Sequence, residues 1–169
     1  MRTMILALVL LFGLGATVLG LTFWKNQLPW DLPPGRMTRV VTYLTTHVAD
    51  TADNSLFPEL RPRQYAGVSP DALFEAVDHA VGKLGWSVLQ RDKAGHVLRA
   101  VVSTKLLQFL DDIEIAVADG GHGHTRLMVR SVSRTGQGDL GTNTAHILAL
   151  YRALDETLPA PTNAPRGVP

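Results

Sequence analysis

The chain has 169 residues, enough for one domain, and a formal net charge of +1 from 16 basic and 15 acidic side chains. That balance provides no electrostatic steering toward nucleic acid, and no cluster of basic and aromatic residues forms a groove that would track a strand. There is no cysteine, which excludes a disulfide framework, thiolate metal sites and a cysteine nucleophile.

Hydrophobic residues make up 46% of the chain, and much of that excess lies at the start: no charge falls between Arg2 and Lys25. A helix of about 20 apolar residues spans the hydrocarbon core of a bilayer. Residues 1–24 are therefore expected to be a transmembrane anchor or an uncleaved signal, with Trp24 and Trp30 as interfacial anchors. The expected location is the cell membrane, single-pass, with the folded domain exported to the periplasmic side.

Residues 25–60 read as a juxtamembrane linker or arm. Three prolines fall within 26–35, and Pro33 and Pro34 are adjacent. Over 36–48, Met37, Val40, Val41, Leu44 and Val48 fit helical spacing while the β-branched content favours a strand. The segment is expected to be a short helix or an irregular arm, and 49–58 a loop. The folded domain is placed at 61–158, with a short edge strand at 63–67.

Ser69, Pro70 and Asp71 form a strong helix start: a cap, a first-turn proline and a charge that complements the dipole. Leu73, Ala76, Val77, Ala80, Val81 and Leu84 line one face, and Gly85 ends the helix. Residues 86–90 and 96–104 read as a hairpin around the turn at 92–95. Alternation breaks over 104–112 and resumes cleanly over 112–118. The Gly- and His-rich stretch 119–124 is a connection, and 125–134 is the return strand. A helix over 140–158 buries Ile147, Leu150, Tyr151, Leu154 and Leu158, with Asp139 or Thr142 as its cap. The Pro-rich tail, 159–169, is expected to be disordered. The sum is an α+β, two-layer fold: a four- or five-stranded antiparallel sheet with two helices on one face, preceded by the N-terminal transmembrane helix.

Four strings of residues stand out. They are Arg63 and Tyr65 near the domain start, Trp86 after the first helix, T-K-x-x-x-F-x-D-D at Thr104 to Asp112, and R-S-V-S-R-T-G-Q-G-D-L-G-T-N from Arg130 to Asn143. On these residues the chain resembles the DUF1499 domain family, a bacterial and plant family of unknown function, over 61–158. Lys105 stands where the family usually has Arg and Leu110 where Pro is common, and a cysteine-bearing upstream segment of many members is absent. Members look exported or membrane-associated, which the resemblance extends to this chain. It implies residues but no chemical roles.

Parity places Arg130 and Arg134 on the sheet face away from the helices, with Asp112 roughly opposite Arg130 if the loop centres near residue 121. Two arginines beside the backbone N–H groups of a helix start suit an anionic group. The candidate binding set is Arg130, Arg134, Ser131, Ser133, Asp139, Asn143, Asp111, Asp112 and Lys105. The same residues could instead only pin the strand–helix junction. A hydrolase-like reading would use Asp111 and Asp112 with Arg130 and Arg134, but adjacent residues of a strand face opposite ways and no histidine is matched to the serines. His122 and His124 with Asp119 lack a further ligand, so no metal is expected, and nothing implies a cofactor. The expected function is a non-enzymatic, membrane-tethered binding or interaction domain, with a structural or assembly role in a membrane complex as a further alternative. Its expected partners are the membrane, an anionic ligand or lipid, and a protein on the open sheet face.

Overall fold

The computed structural model describes residues 26–103 and 109–163, together with residues 10, 13, 17, 20–22 and 24 of the leading segment. The described elements are α1 (Arg36–Thr45), β1 (Val48–Asp50), a 3-10 turn (Pro58–Leu60), β2 (Arg63–Ala66), α2 (Pro70–Lys83), β3 (Ser87–Asp92), β4 (Val97–Ser103), β5 (Leu110–Gly121), β6 (His124–Ser133) and α3 (Thr142–Asp155). The sheet is antiparallel and has six strands, where sequence reading expected four or five. Its order is β1-β6-β5-β4-β3, and β2 also pairs with β6. The added strand is β1, only three residues long, too short for alternation to register.

β1 and β2 share one edge of β6. β1 pairs with Arg130 to Val132 and β2 with His124 to Leu127. Between them Thr51 closes the ladder: its N–H donates to Val129 O at 3.0 Å, and its hydroxyl accepts from Val129 N at 2.9 Å. The outer edge of β2 is covered by the tail. Thr162 N donates to Gln64 O at 2.8 Å, and the Asn163 amide bonds to Gln64 N and Pro62 O. The tail expected to be disordered is thus docked as far as Asn163, and 164–169 lie outside the described residues.

α2 and α3 cover one face. Leu73, Phe74, Val77, Ala80 and Val81 of α2 meet Ile147, Leu150, Tyr151 and Leu154 of α3 over Leu98, Ala100, Ile113, Ile115, Val117, Leu127 and Val129 of the sheet. Each fully buried aliphatic side chain contributes about 1.5–3 kcal/mol. Ser69 caps α2 by accepting from Ala72 N at 3.2 Å. At the other end Gly85 takes φ 72°, Trp86 N donates to Val81 O and Gly85 N to Gly82 O. This paired closure requires a left-handed residue at Gly85 and directs Trp86 toward α3.

The β5–β6 hairpin closes on His122 and Gly123, with φ 52° and 74°, the backbone of a two-residue type I′ turn. A bulge between Asp119 and Gly121 shifts the ladder. The turn at 122–123, rather than near 121, displaces the ladder and the bulge returns one residue of that displacement, so Glu114, not Asp112, stands opposite Arg130, and Asp112 faces Val132.

α1 is the helical alternative for 36–48, and it belongs to the fold. Arg39 and Tyr43 are buried. The Arg39 guanidinium pairs with Glu59 of the 3-10 turn, both side chains 0% exposed. Its remaining N–H groups reach Leu32 O at 3.3 Å, Pro33 O at 2.7 Å and Tyr43 Oη at 3.1 Å. All five donors of the guanidinium are satisfied. The proline-rich segment read as a linker therefore supplies acceptors to a buried cation.

The membrane expectation is corrected. Among the described residues no helix is long and apolar enough to cross a membrane. The α-helices just named have 10, 14 and 14 residues, about 15–21 Å at 1.5 Å per residue, against a hydrocarbon core of about 30 Å. The expected anchor at 1–24 lies largely outside the described residues. The single-pass tether, the membrane location and the exported placement rested on such a helix and are corrected with it.

Replacing Glu59 by Gln leaves the Arg39 charge buried and uncompensated. Urea unfolding is expected to show a loss of about 3–5 kcal/mol, whereas the double change Arg39→Met with Glu59→Leu retains most of the stability.

Candidate functional site

Sheet parity divides the candidate residues between two faces. Asp111, Ser131, Ser133, Asp139 and Asn143 lie on the helix side, while Arg130, Arg134 and Asp112 stand on the open side. Lys105 lies outside the described residues.

On the helix side, Asn143 is fully buried and every polar atom of its side chain is bonded. Oδ1 accepts from Ser131 Oγ at 2.6 Å, and Nδ2 donates to Ser133 Oγ and to His47 O, each at 2.9 Å. The N-cap of α3 is Gly141 rather than Asp139 or Thr142, but the Asp139 carboxylate serves the helix start, accepting from Gly141 N and Asn143 N, each at 2.9 Å. These amides would otherwise serve an anion, so the helix start is filled by the chain's own carboxylate. Burial pushes the Asp139 carboxyl above its ordinary value, against those amide bonds, and the nearby Asp111 charge adds to the rise.

The glycines of the motif are needed for shape. Gly141 has φ 78°, and a Cβ there would lie 2.5 Å from Leu28 Cδ1. At Gly138 an added Cβ would stand 2.2 Å from the Leu44 carbonyl oxygen, so the loop packs backbone to backbone on the end of α1. Asp139 N and Leu140 N donate to Thr46 O and Tyr43 O across the same contact.

Asp111 points inward and is 1% exposed. Its Oδ2 lies 2.9 Å from His146 Nε2, and Oδ1 has no partner among the described residues. The indole of Trp86 packs edge-on to His146, centroids 6.0 Å apart. The sequence left the facing side of His146 undecided; the signal that places it is its position one helical turn after Asn143, on the same face. No side-chain bond joins either serine to an imidazole among the described residues. The hydrolase-like arrangement is also corrected, because the sheet separates Asp111 from Asp112 and from both arginines.

The open face carries a row of side chains across five strands. Gln90 on β3, Arg99 on β4, Glu114 on β5, Arg130 on β6 and Asp50 on β1 are successive register partners. Arg99 Nε donates to Glu114 Oε2 at 2.8 Å and its Nη1 to Gln90 Oε1 at 3.0 Å. Arg134 grips Asp112 through two bonds of 2.7 and 2.9 Å, and Arg126 pairs with Asp53 at 2.7 Å. Arg130 has no partner among the described residues, although it stands between Glu114 and Asp50. Beside it a shallow depression of about 180 Å³ is lined by Leu89, Arg99, Asp112, Glu114, Arg130 and Val132. A second hollow of about 190 Å³ lies between α1 and β1, lined by Thr42, Thr46, Phe57 and Thr144 among others.

A family model described as "Protein of unknown function (DUF1499)" matches residues 34–154. The chain belongs to the DUF1499 family. The match begins well before residue 61, so α1, β1 and the 3-10 turn are part of the DUF1499 domain together with both helices of the core. No curated protein matches the chain. Within the DUF1499 domain the motif from Arg130 to Asn143 has two structural products: the junction around Asn143 on one face, and the arginines of the open row on the other.

Two measurements test this division. Asn143→Leu leaves the hydroxyls of Ser131 and Ser133 without their partner, while the His47 carbonyl keeps the Ser133 N–H; the cost is about 1–3 kcal/mol for each group that stays buried and unbonded, read by chemical denaturation. For Asp112, the donating Arg134 guanidinium holds the carboxyl below its ordinary value of 3.8. A lowered folded value means that the pair contributes stability above about pH 4, and that this is lost as pH falls through the folded value. A carboxyl-carbon NMR titration is expected to find Asp112 below 3.8 and to see it rise in Arg134→Gln.

Proposed function

We propose that the domain is a binding module whose uncovered sheet face holds an anionic group of a ligand on Arg130. One observation carries this reading. Among the described arginines of that face, Arg99, Arg126 and Arg134 are held in ion pairs, while Arg130 is unpaired and borders the depression. A planar guanidinium with free donors is suited to a carboxylate or phosphate, which it can grip through two parallel bonds. The inner face supports binding less well, because the polar atoms around Asn143 already satisfy one another.

Arg130 is exposed, so Arg130→Ala is expected to change folding stability by no more than about 0.5 kcal/mol. Titration of acetate and inorganic phosphate, followed at the arginine side-chain N–H signals, is expected to move Arg130 first. A charge-assisted bond contributes about 1.5–3 kcal/mol, so Arg130→Ala should weaken binding about tenfold or more while Arg134→Ala leaves it nearly unchanged. Equal binding by Arg130→Ala and the unaltered protein would refute the assignment.

A further inference from the structure

The depression beside Arg130 is not cationic overall. Two guanidinium groups, Arg99 and Arg130, and two carboxylates, Asp112 and Glu114, border it, with Leu89 and Val132 as apolar walls. Asp112 has both oxygens on Arg134, and Glu114 gives Oε2 to Arg99. One guanidinium, Arg130, and one carboxylate oxygen, Oε1 of Glu114, are left without a partner among the described residues. Arg130 and Glu114 stand directly opposite each other on β6 and β5.

The alternating row determines which ligand meets least repulsion. A lone anion on Arg130 would sit between Glu114 and Asp50, its register partners on the two sides. A lone cation on Glu114 would sit between Arg99 and Arg130. Each single charge is opposed from both flanks, whereas a ligand carrying both signs matches the row, and discrimination of this kind comes from the repulsive neighbours as much as from the attractive one. The volume of about 180 Å³ is below the range of about 300–1,000 Å³ typical of drug-sized ligands, so the occupant is small. We infer that this face recognises a small zwitterion, with its carboxylate on Arg130 and its ammonium group on Glu114. The inference rests on the reading of Arg130 as an anion-binding residue.

The test uses the full chain with nitrogen-15-labelled arginine, titrated with glycine, 4-aminobutyrate, acetate and methylammonium, following the Arg130 Nε–H signal. Glycine or 4-aminobutyrate is expected to bind at least about tenfold more tightly than acetate. In Glu114→Gln that preference is expected to fall to about threefold or less, with acetate bound no more weakly than before, because a repulsive neighbour is gone. If acetate matches both amino acids at Arg130, the zwitterion inference is overturned while the anion-binding reading stands. If the preference survives Glu114→Gln, the inference is overturned in the role it gives Glu114. If neither the carboxylates nor phosphate move Arg130, both readings fall together.

Discussion

Asn143 is the constraint on which the arrangement of both sheet faces depends. Its side chain joins the end of β6, the start of α3 and the residue that leads into β1, through Ser131, Ser133 and His47. Buried polar groups are stable only when their bonds are complete, and here a single amide completes three elements at once. The effect reaches the opposite face. Because His47 is held, β1 is delivered in register and Asp50 arrives beside Arg130. The charged row on the open face is therefore set from behind by an uncharged network.

A second fixed point holds the front of the domain. The buried pair of Arg39 and Glu59 ties α1 to the 3-10 turn, and Arg39 also stacks over Phe57 at 5.0 Å. A buried ion pair is weak evidence of net stability, since desolvation of both charges opposes their attraction. Its value here is geometric. It orients α1 so that the Leu44 carbonyl meets Gly138 and the loop before α3 can close. Bulk at Gly138 or Gly141 would separate these parts, which accounts for the spacing of glycines in the motif.

Much of this was legible before any coordinates. α2 could be placed from its cap, its apolar stripe and its terminal glycine, because each of these signals is local. Parity correctly assigned Arg130 and Arg134 to the face without helices. The register did not follow, because the hairpin turns at 122–123 rather than near 121 and the bulge before Gly121 returns only one residue of that displacement, and bulges leave little trace in composition. β1 was hidden by its length, whereas helical spacing over 36–48 did point to α1 although its β-branched residues suit either structure. The role of His146 stayed undecided because its partner, Asp111, lies 35 residues away in sequence. The tail read as disordered for want of apolar residues, yet it docks through backbone and amide bonds that hydrophobicity does not measure.

Those tail bonds have a consequence for how molecules can meet this domain. An exposed strand edge is a template for adding another chain's strand. On one side of the sheet the edge is split into two short strands, bridged by Thr51, and β2 is overlaid by Thr162 and Asn163. On the other side β3 is kinked by the bulge between Val88 and Gln90. Both rims thus resist strand addition and the polymerisation that follows from it. The broad face presents side chains rather than backbone, so its charge and shape rest on a few positions that substitution can change without disturbing the fold.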